Sequence, residues 1–548
     1  MALIIPPKHQ LTTSLSLEQM NIIDRKYPVG IQTFERIIKE GYLYLDKTDL
    51  VWKMTHSTPF VFLSRPRRFG KSLLTTTLES YFSGDKSLFE GLKIMDMEKE
   101  WKQYPVLHFD LSTAKNQANA KELRQTLFNI LKPYILQYGR DDDETLPGQL
   151  LKGIIKRAYE QTGKKVAILL DEYDAPLLDV LLEDTQLPEY RRVMQEFYQP
   201  LKASERMIQF CFITGITKFS QLSIFSTINN LTNISLLPQY ATICGITEEE
   251  FTTQMAGDIQ MMAEKEGCAP VEMHAILKEQ YDGYRFAEDS PEVYNPYSLL
   301  KCFLTQKIGN YWFESGTPTF LIRQMQHFRT DITNLNDIEA PADAFDLPTE
   351  SLSNALPLLY QSGYLTIKDY DKMSQIYSLA IPNKEVIVGL TKGLIPIYTG
   401  LDAPSIQTGF AAKFWRALIK DNINLAMEEM QAFLSGIPYV EGFKQKLQDI
   451  PTKEGFYEYT LYLIFSMLNV YVQTQVKCHG GRIDMVVMMP TVTYLFEFKT
   501  NLPARGASRQ ISERGYDQPY HTDGRQVTKI GVKFNIDTWT IEEWQIEK

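Results

Sequence analysis

"FLSRPRRFGKSLL", Phe62 to Leu74, decides how this chain of 548 residues is read. Gly70-Lys71-Ser72 matches the end of the phosphate-binding pattern G-x-x-x-x-G-K-[ST], but Arg65 stands where the first glycine belongs. Upstream, Phe60 to Leu63 form an apolar run cut off by Pro66, which reads as a buried strand. Downstream, Leu74, Leu78 and Phe82 recur at helical spacing. Strand, loop and helix are the setting a phosphate cradle needs. Gly70 admits backbone N–H groups to the phosphate, Lys71 reaches the outer phosphates, and Ser72 offers a hydroxyl to Mg²⁺ at a helix N-terminus that favours anions. Arg65, Arg67 and Arg68 are expected to add positive charge, and the nucleotide-binding set is Arg67, Arg68, Phe69, Gly70, Lys71, Ser72 and Leu73.

A second motif bears on the same chemistry. "KKVAILLDEYDAP" places an apolar strand, Val166 to Leu170, directly before Asp171 and Glu172. Nucleotide hydrolysis uses two acids at such a strand end, the first to hold Mg²⁺ and the second to activate water. Asp171 is therefore the expected metal and cofactor ligand with Ser72, and Glu172 the expected catalytic base. Further strands are expected over Tyr104–Ser112 and over "MIQFCFITGITKF", the latter ending at Thr214 as a sensor of the γ-phosphate. Polar residues at the C-terminal ends of parallel strands put one site at one edge of a sheet.

Taken in order, "YPVGIQTFERIIKEGYLYLDKTDLV", "SRPRRFGKSLL", "VAILLDEYDAPL" and "FITGITKFSQLSIFSTINNL" resemble the bacterial AAA-ATPase-like family, relatives of STAND-type and archaeal ATPases, over about residues 22–247. In that family R-P-R-R-F-G-K-S is the usual form of the loop. The resemblance implies ATP, with Lys71 and Ser72 at the phosphates and Mg²⁺, Asp171 at the metal and Glu172 as base. It also implies a helical or winged-helix lid next in the chain, with Tyr27 to Gly30 and "YLDKTDL" shaping the nucleotide entrance.

A chain this long exceeds the roughly 250 to 300 residues of a single core, so several domains are expected. Hydrophobic residues at 44% and charged residues at 23% are ordinary globular values, and the net charge of −10 speaks against a uniformly basic surface for nucleic acid. The opening "MALIIPPKHQLTTS" lacks the pattern of a secretion signal, and no apolar run reaches membrane-spanning length. Five scattered cysteines without C-x-x-C spacing argue against a disulfide framework or structural zinc. A soluble cytoplasmic protein without a membrane partner is the expectation, and an oligomer is compatible with it.

Between residues 248 and 326 the chain reads as helical, with "YDGYRF" and "VYNPYSLL" as turn-like punctuation; Arg285 either reaches the nucleotide from a lid or serves the internal structure. Residues 340–440 read as a helical connecting domain in which Phe410, Phe414 and Leu418 share a face. The acids of "RDDDETLP" read as a solvated loop rather than a metal site.

The last hundred residues carry a second candidate site. In "LFEFKT" Glu497 and Lys499 share one face of a strand while Phe496 and Phe498 point into a core. Asp484 on "RIDMVVMM" comes beside them if the two strands pair as a hairpin around Pro490. Asp484 and Glu497 then bind one or two divalent ions, Lys499 orients or activates water, and Glu458 on a preceding helix completes the metal shell. The set suits phosphodiester hydrolysis with Mg²⁺, or Mn²⁺ in its place. From Lys477 to Lys533 nine Lys/Arg face five Asp/Glu, and Arg505, Arg509, Arg514, Arg525 and Lys529 are either a track for a DNA or RNA backbone or a solvated face. This block, about residues 441–548, resembles the PD-(D/E)XK nuclease superfamily, which implies catalytic roles at Glu458, Asp484, Glu497 and Lys499 and a following helix in which Gln510 and Tyr516 recur.

The fold expected is thus α/β: a P-loop NTPase parallel sheet with helices on both faces (1–247), a helical or winged-helix extension (248–339), a helical connector (340–440), and an α/β restriction-endonuclease-like domain (441–548). The function expected is an ATPase coupled to a metal-dependent nuclease. Its alternative is a nucleotide-controlled switch whose last domain binds nucleic acid or a protein without cutting.

Overall fold

Apolar residues alternating along the strands dictate the first layer structure. A computed structural model describes residues 25–548 except 179, 182, 184, 219–230, 316–318, 329, 333–334, 348–352, 400–409, 411, 437–459, 465–470, 479–480, 490, 523, 536–537 and 539. Strands β1 (Phe60–Ser64), β2 (Val106–Asp110), β3 (Val166–Asp171), β4 (Ile208–Gly215) and β5 (Thr232–Asn233) form a parallel sheet in the order β2-β3-β4-β1-β5. Val61, Leu63, Leu169 and Phe212 face helix α1 (Lys71–Phe82). Phe60, Phe62, Ile168 and Ile213 face α2 (Ala120–Tyr138), α3 (Pro147–Thr162) and α4 (Gln186–Ala203). Both faces are covered, as buried parallel strands require. Ser72 at the start of α1, Asp171 at the end of β3 and Thr214 near the end of β4 all lie toward the C-terminal edge of the sheet.

After β5 come a two-stranded ladder, β6 (Ile246–Thr247) with β7 (Val293–Tyr294), and helices α5 (Glu248–Gln254), α6 (Ala256–Glu266), α7 (Pro270–Tyr281) and α8 (Pro296–Thr305). "VYNPYSLL" is therefore a strand running into a helix capped by Asn295, whose side chain accepts from Ser298 N, and not mere punctuation. Next, α9 (Thr319–His327), β8 (Ile338–Ala340), a helical turn at Ala342–Phe345, α10 (Leu356–Gln361), β9 (Thr366–Asp371) and β10 (Ile376–Ala380) build a three-stranded antiparallel sheet ordered β8-β10-β9 under short helices. Three strands thus stand in a region expected to be helical, on both sides of the expected boundary at 339/340. The strand "TIKDYD" buries Thr366 and Ile367 while its last four residues are half-buried or exposed, too short an apolar run to announce a strand.

Helix α11 (Lys384–Thr399) leads on to α12 (Ala412–Ile419) and α13 (Ile423–Ser435), where Phe410, Phe414 and Leu418 are buried on one side. The C-terminal sheet has the order β11 (Tyr471–Cys478), β12 (Gly481–Met488), β13 (Val492–Lys499), β14 (Gln526–Asn535), β15 (Thr540–Glu547), antiparallel except for the β13–β14 pair. Ile483, Leu495 and Val527 pack with Ile511 of α14 (Ala504–Glu513), whereas Met485, Phe496, Phe498 and Phe534 face the core shared with α12 and α13. Among the described residues no helix is long and apolar enough to cross a membrane.

Candidate functional site

The phosphate loop forms as its sequence requires at its end and differently at its start. Gly70 sits at φ 91°, a left-handed conformation that side chains disfavour, and caps the N-terminus of α1. Lys71 is buried, and its ammonium donates to the Arg65 and Pro66 carbonyls, each at 2.9 Å. Burial holds its pKa below the usual lysine value, against the opposing pull of Asp171, Glu172 and Asp174. Ser72 hydrogen-bonds Asp171, whose carboxyl burial raises in pKa while Ser72 and Lys71 act the other way. A hydroxyl and an acid drawn together at the end of β3 are the donors a Mg²⁺ ion uses with a nucleotide, so the pair fits that ion.

Arg65 does not supply charge to this cradle. It is 2% exposed, donates to the carbonyls of Ser64, Ser235 and Tyr240 at 2.9, 2.8 and 3.2 Å, and stacks 4.2 Å from the Phe286 ring centroid. Without a facing carboxylate, burial lowers its pKa to about 10. A glycine there would leave those three carbonyls without this donor, which explains the departure from the pattern in packing terms. Arg67 has an exposed side chain. Arg68, Phe69 and the Arg67 carbonyl contact the middle of the chain, as described below.

Glu172 lies at φ 49° with its carboxylate paired to Lys115. No sequence pattern marks Lys115, which follows β2. Asp174, the last acid of "DEYD", is buried and accepts from Ile216 N, Thr217 N and the Thr217 hydroxyl at 3.0, 2.6 and 2.7 Å. It thereby ties the β3 end to the β4 end. Thr214 is not among the groups brought together: fully buried, it donates its hydroxyl to Leu63 O at 2.8 Å inside the sheet.

Beside Gly70 opens a cavity of about 100 Å³, walled by Pro28 and Leu43–Leu45, by Leu73 and Thr77 of α1, by Cys244–Ile246, and by Leu300 of α8. Lys47, which also lines it, pairs with Glu250 at 2.6 Å, while Tyr27 and Arg25 both reach buried Asp258. "YLDKTDL" and Pro28 thus border the space next to the phosphate loop. Arg285 lies elsewhere, donating to Lys368 O at 2.8 Å, a structural bond to β9. In "RDDDETLP", Glu144 is buried in a two-pronged pair with Arg157 at 2.8 and 2.9 Å, so this acid braces α3 rather than facing water.

At the other end, β12 and β13 form the expected hairpin, with Met485 opposite Phe496. Asp484 and Glu497 are next in register, and Phe498 N donates to Asp484 Oδ2 at 2.7 Å. Lys499 donates to Glu497 Oε1 at 2.7 Å, and Gln510 of α14 donates to the same oxygen. Glu497 is 1% exposed, and among the described residues its buried Oε2 has no hydrogen-bond partner. Burial first, then Asp484, raises its pKa to about 7, with Lys499 opposing. An orphaned carboxylate oxygen beside a second carboxylate is what a divalent cation satisfies. Two carboxylates are what the described residues contribute, for no group of three or more His, Cys, Asp or Glu gathers among them; Glu458 lies outside the described residues. Arg505 and Arg509 are exposed on α14, while Lys529 is bound to Ser512 and Asp517. Gly481 lies against the Tyr516 hydroxyl, where a β-carbon would come within 2.5 Å.

Comparison with known proteins matches both the first and the last domain. Residues 28–225 match the family model of predicted AAA-ATPases, and residues 452–544 that of the PD-(D/E)XK nuclease superfamily. An uncharacterized protein in the vnfD 5' region of Azotobacter chroococcum mcd 1 is 31% identical over 535 residues, covering 95% of this chain and 99% of that protein. No solved structure matches the chain. With a parallel sheet carrying Gly70-Lys71-Ser72 at one end and a mixed sheet carrying Asp484, Glu497 and Lys499 at the other, the chain carries an AAA-ATPase-like domain followed by a PD-(D/E)XK nuclease superfamily domain and belongs to one family with the Azotobacter protein.

Proposed function

We propose that the chain hydrolyses ATP at the phosphate loop and cleaves nucleic-acid phosphodiesters at the C-terminal site with the help of Mg²⁺ or Mn²⁺. The observation that carries the reading is the buried Oε2 of Glu497 beside Asp484, which has no partner among the described residues and which a cation would satisfy. At the first site Lys71 exchanges two loop carbonyls for phosphate oxygens, Ser72 and Asp171 hold the metal of the nucleotide, and Glu172 takes the proton of the attacking water once Lys115 releases it. The cavity beside Gly70 takes the base. Among the described residues its lining is mostly apolar, which suits a flat nucleobase.

At the second site a divalent ion supplies positive charge for the developing anionic phosphate. Lys499 orients the water, and Gln510 holds Glu497 in place. The exposed Arg505 and Arg509 steer the DNA or RNA backbone. Five cysteines without disulfides suit a reducing, cytoplasmic setting.

The test is a panel of single- and double-stranded DNA and RNA incubated with Mg²⁺ or Mn²⁺ and with ATP, GTP or neither. Lys71→Ala should lose nucleotide binding, whereas Asp484→Ala and Lys499→Ala should abolish cleavage and leave phosphate release from ATP intact. Cleavage by the Lys499→Ala protein at the wild-type rate would sink the nuclease assignment. Binding of nucleic acid without cleavage under every condition would favour a switch that holds its target.

A further inference from the structure

The residues that make the phosphate loop unusual, Arg65 to Phe69, face the middle of the chain. Pro66 lies against Gly363, where a β-carbon would sit 2.6 Å from the proline ring. The Arg67 carbonyl accepts from Trp312 Nε1 at 3.2 Å. Arg68 donates to Tyr311 O at 2.7 Å and stacks 3.9 Å from the centroid of Tyr297. Phe69 meets Tyr284 and Phe286 edge-on at 4.7 and 5.3 Å. Arg68 also lies at φ 66°, where a non-glycine residue persists only if its surroundings hold it.

The partners form one block. Trp312 N donates to buried Glu385 at 2.9 Å near the start of α11, and Gly389 of the same helix lies so close to Phe313 that a β-carbon would come within 2.0 Å of the ring. A displacement of the loop at Arg68 therefore meets Tyr311–Phe313, and that segment meets α11 without intervening space.

We infer that Arg68 is a coupling residue and not a phosphate ligand: it fastens the loop to the Tyr311–Phe313 segment so that filling of the loop is transmitted to α11. The inference rests on the reading of the loop as a nucleotide site. It differs from the sequence expectation, in which Arg68 adds charge for the phosphates. Where binding reorients the loop amides, Arg68 and Trp312 are the side chains through which that movement reaches the Tyr311–Phe313 segment.

The experiment uses the full chain, with hydrogen exchange of peptides spanning 384–399 read with and without saturating ATP and Mg²⁺, and affinity for a fluorescent ATP analogue read in parallel. Wild type should show an ATP-dependent change in exchange at α11. Arg68→Ala should bind within about threefold of wild type yet lose that response, while Lys71→Ala should lose binding itself. A drop of about tenfold or more in the affinity of Arg68→Ala, with the α11 response kept at saturation, would make Arg68 a phosphate ligand and overturn the inference. Should Arg68→Ala fail to fold, Trp312→Phe, which removes one N–H and keeps a ring, carries the test: unchanged affinity with a weakened response supports the coupling, and an unchanged response overturns it. If wild type binds no ATP, the nucleotide reading falls and this inference with it. Binding without any response at 384–399 removes the inference alone.

Discussion

Two buried glutamates show how this chain places charge where water is scarce. Glu385 accepts hydrogen bonds at the phosphate-loop junction but has no cation in contact, and burial raises its pKa from 4.5 to about 7, with the Trp312 amide, Ser298 and Arg68 acting against it. A carboxyl whose folded pKa is raised favours the folded state most below the unfolded pKa, and that contribution is lost as pH rises from about 4.5 to about 7. Glu385→Gln should therefore gain on wild type across that window, by up to about 3 kcal/mol before plateauing. Melting curves at pH 5 and pH 8 check this, and a difference that stays flat would mean that the folded chain already holds Glu385 ionised at both. Glu497 is the functional counterpart. Its replacement by Gln removes a buried charge while keeping an acceptor for Lys499 and Gln510, so thermal stability in metal-free buffer at pH 8 should rise by ~1–3 kcal/mol. The rise in melting temperature that wild type shows on adding Mn²⁺ should vanish. A less stable Glu497→Gln protein that still responds to Mn²⁺ would mean that Glu497 serves the fold and not the metal.

At the scale of elements, the C-terminal site depends on how closely α14 lies on β14. A β-carbon at Gly531 would come 2.1 Å from Ala504 O and 2.5 Å from Ser508 N, so only glycine allows the approach that brings Gln510 to Glu497. Gly531→Ala should push the helix out, cost ~1–3 kcal/mol and weaken Mn²⁺ binding, with ATP affinity unchanged. Calorimetric titration of Mn²⁺ and of ATP on the same variant separates the two, and intact Mn²⁺ binding would show that the helix does not set the site.

Strands and helices at both sites were legible in the sequence because their apolar residues alternate or recur cleanly, as in Val166–Leu170 and in Leu74, Leu78 and Phe82. The hairpin joining Asp484 to Glu497 was legible because thirteen residues allow little else. The strands of the three-stranded sheet were not, since only three of the eleven residues of β9 and β10 are fully buried and the rest resemble loop. The pairing of Lys115 with Glu172 and the contacts of Arg65, Arg68 and Phe69 with later parts of the chain escaped for another reason: each depends on residues distant in the chain, and no local spacing records them.

At the scale of the molecule, the question is whether the two sites stand on one frame. Helix α13 and the turn before it meet the C-terminal sheet through Tyr494 on Asp421 (3.1 Å), Gln431 on Ile541 O (2.7 Å), Trp544 on Asn424 (3.1 Å) and Lys548 on Asp421 (3.0 Å). Behind these polar bonds one apolar cluster includes Val61 of the ATPase sheet and Leu78 of α1, Leu390 and Phe414, and Phe496 and Phe534 of the C-terminal sheet. Apolar contacts shared in this way couple the halves, so unfolding should be shared. ATP at about 100 times its dissociation constant adds about 2.7 kcal/mol to whatever unit it binds. If the frame is single, that increment protects the C-terminal sheet too, although the nucleotide lies at the far end of the chain from Glu497. Pulse proteolysis across a urea series checks this: fragments from 60–215 and from 481–547 should disappear at one midpoint, and ATP should shift both equally. Two midpoints, with only the first moved by ATP, would mean that the nuclease sheet folds by itself and that any control over Glu497 must pass through local contacts such as those of Arg68.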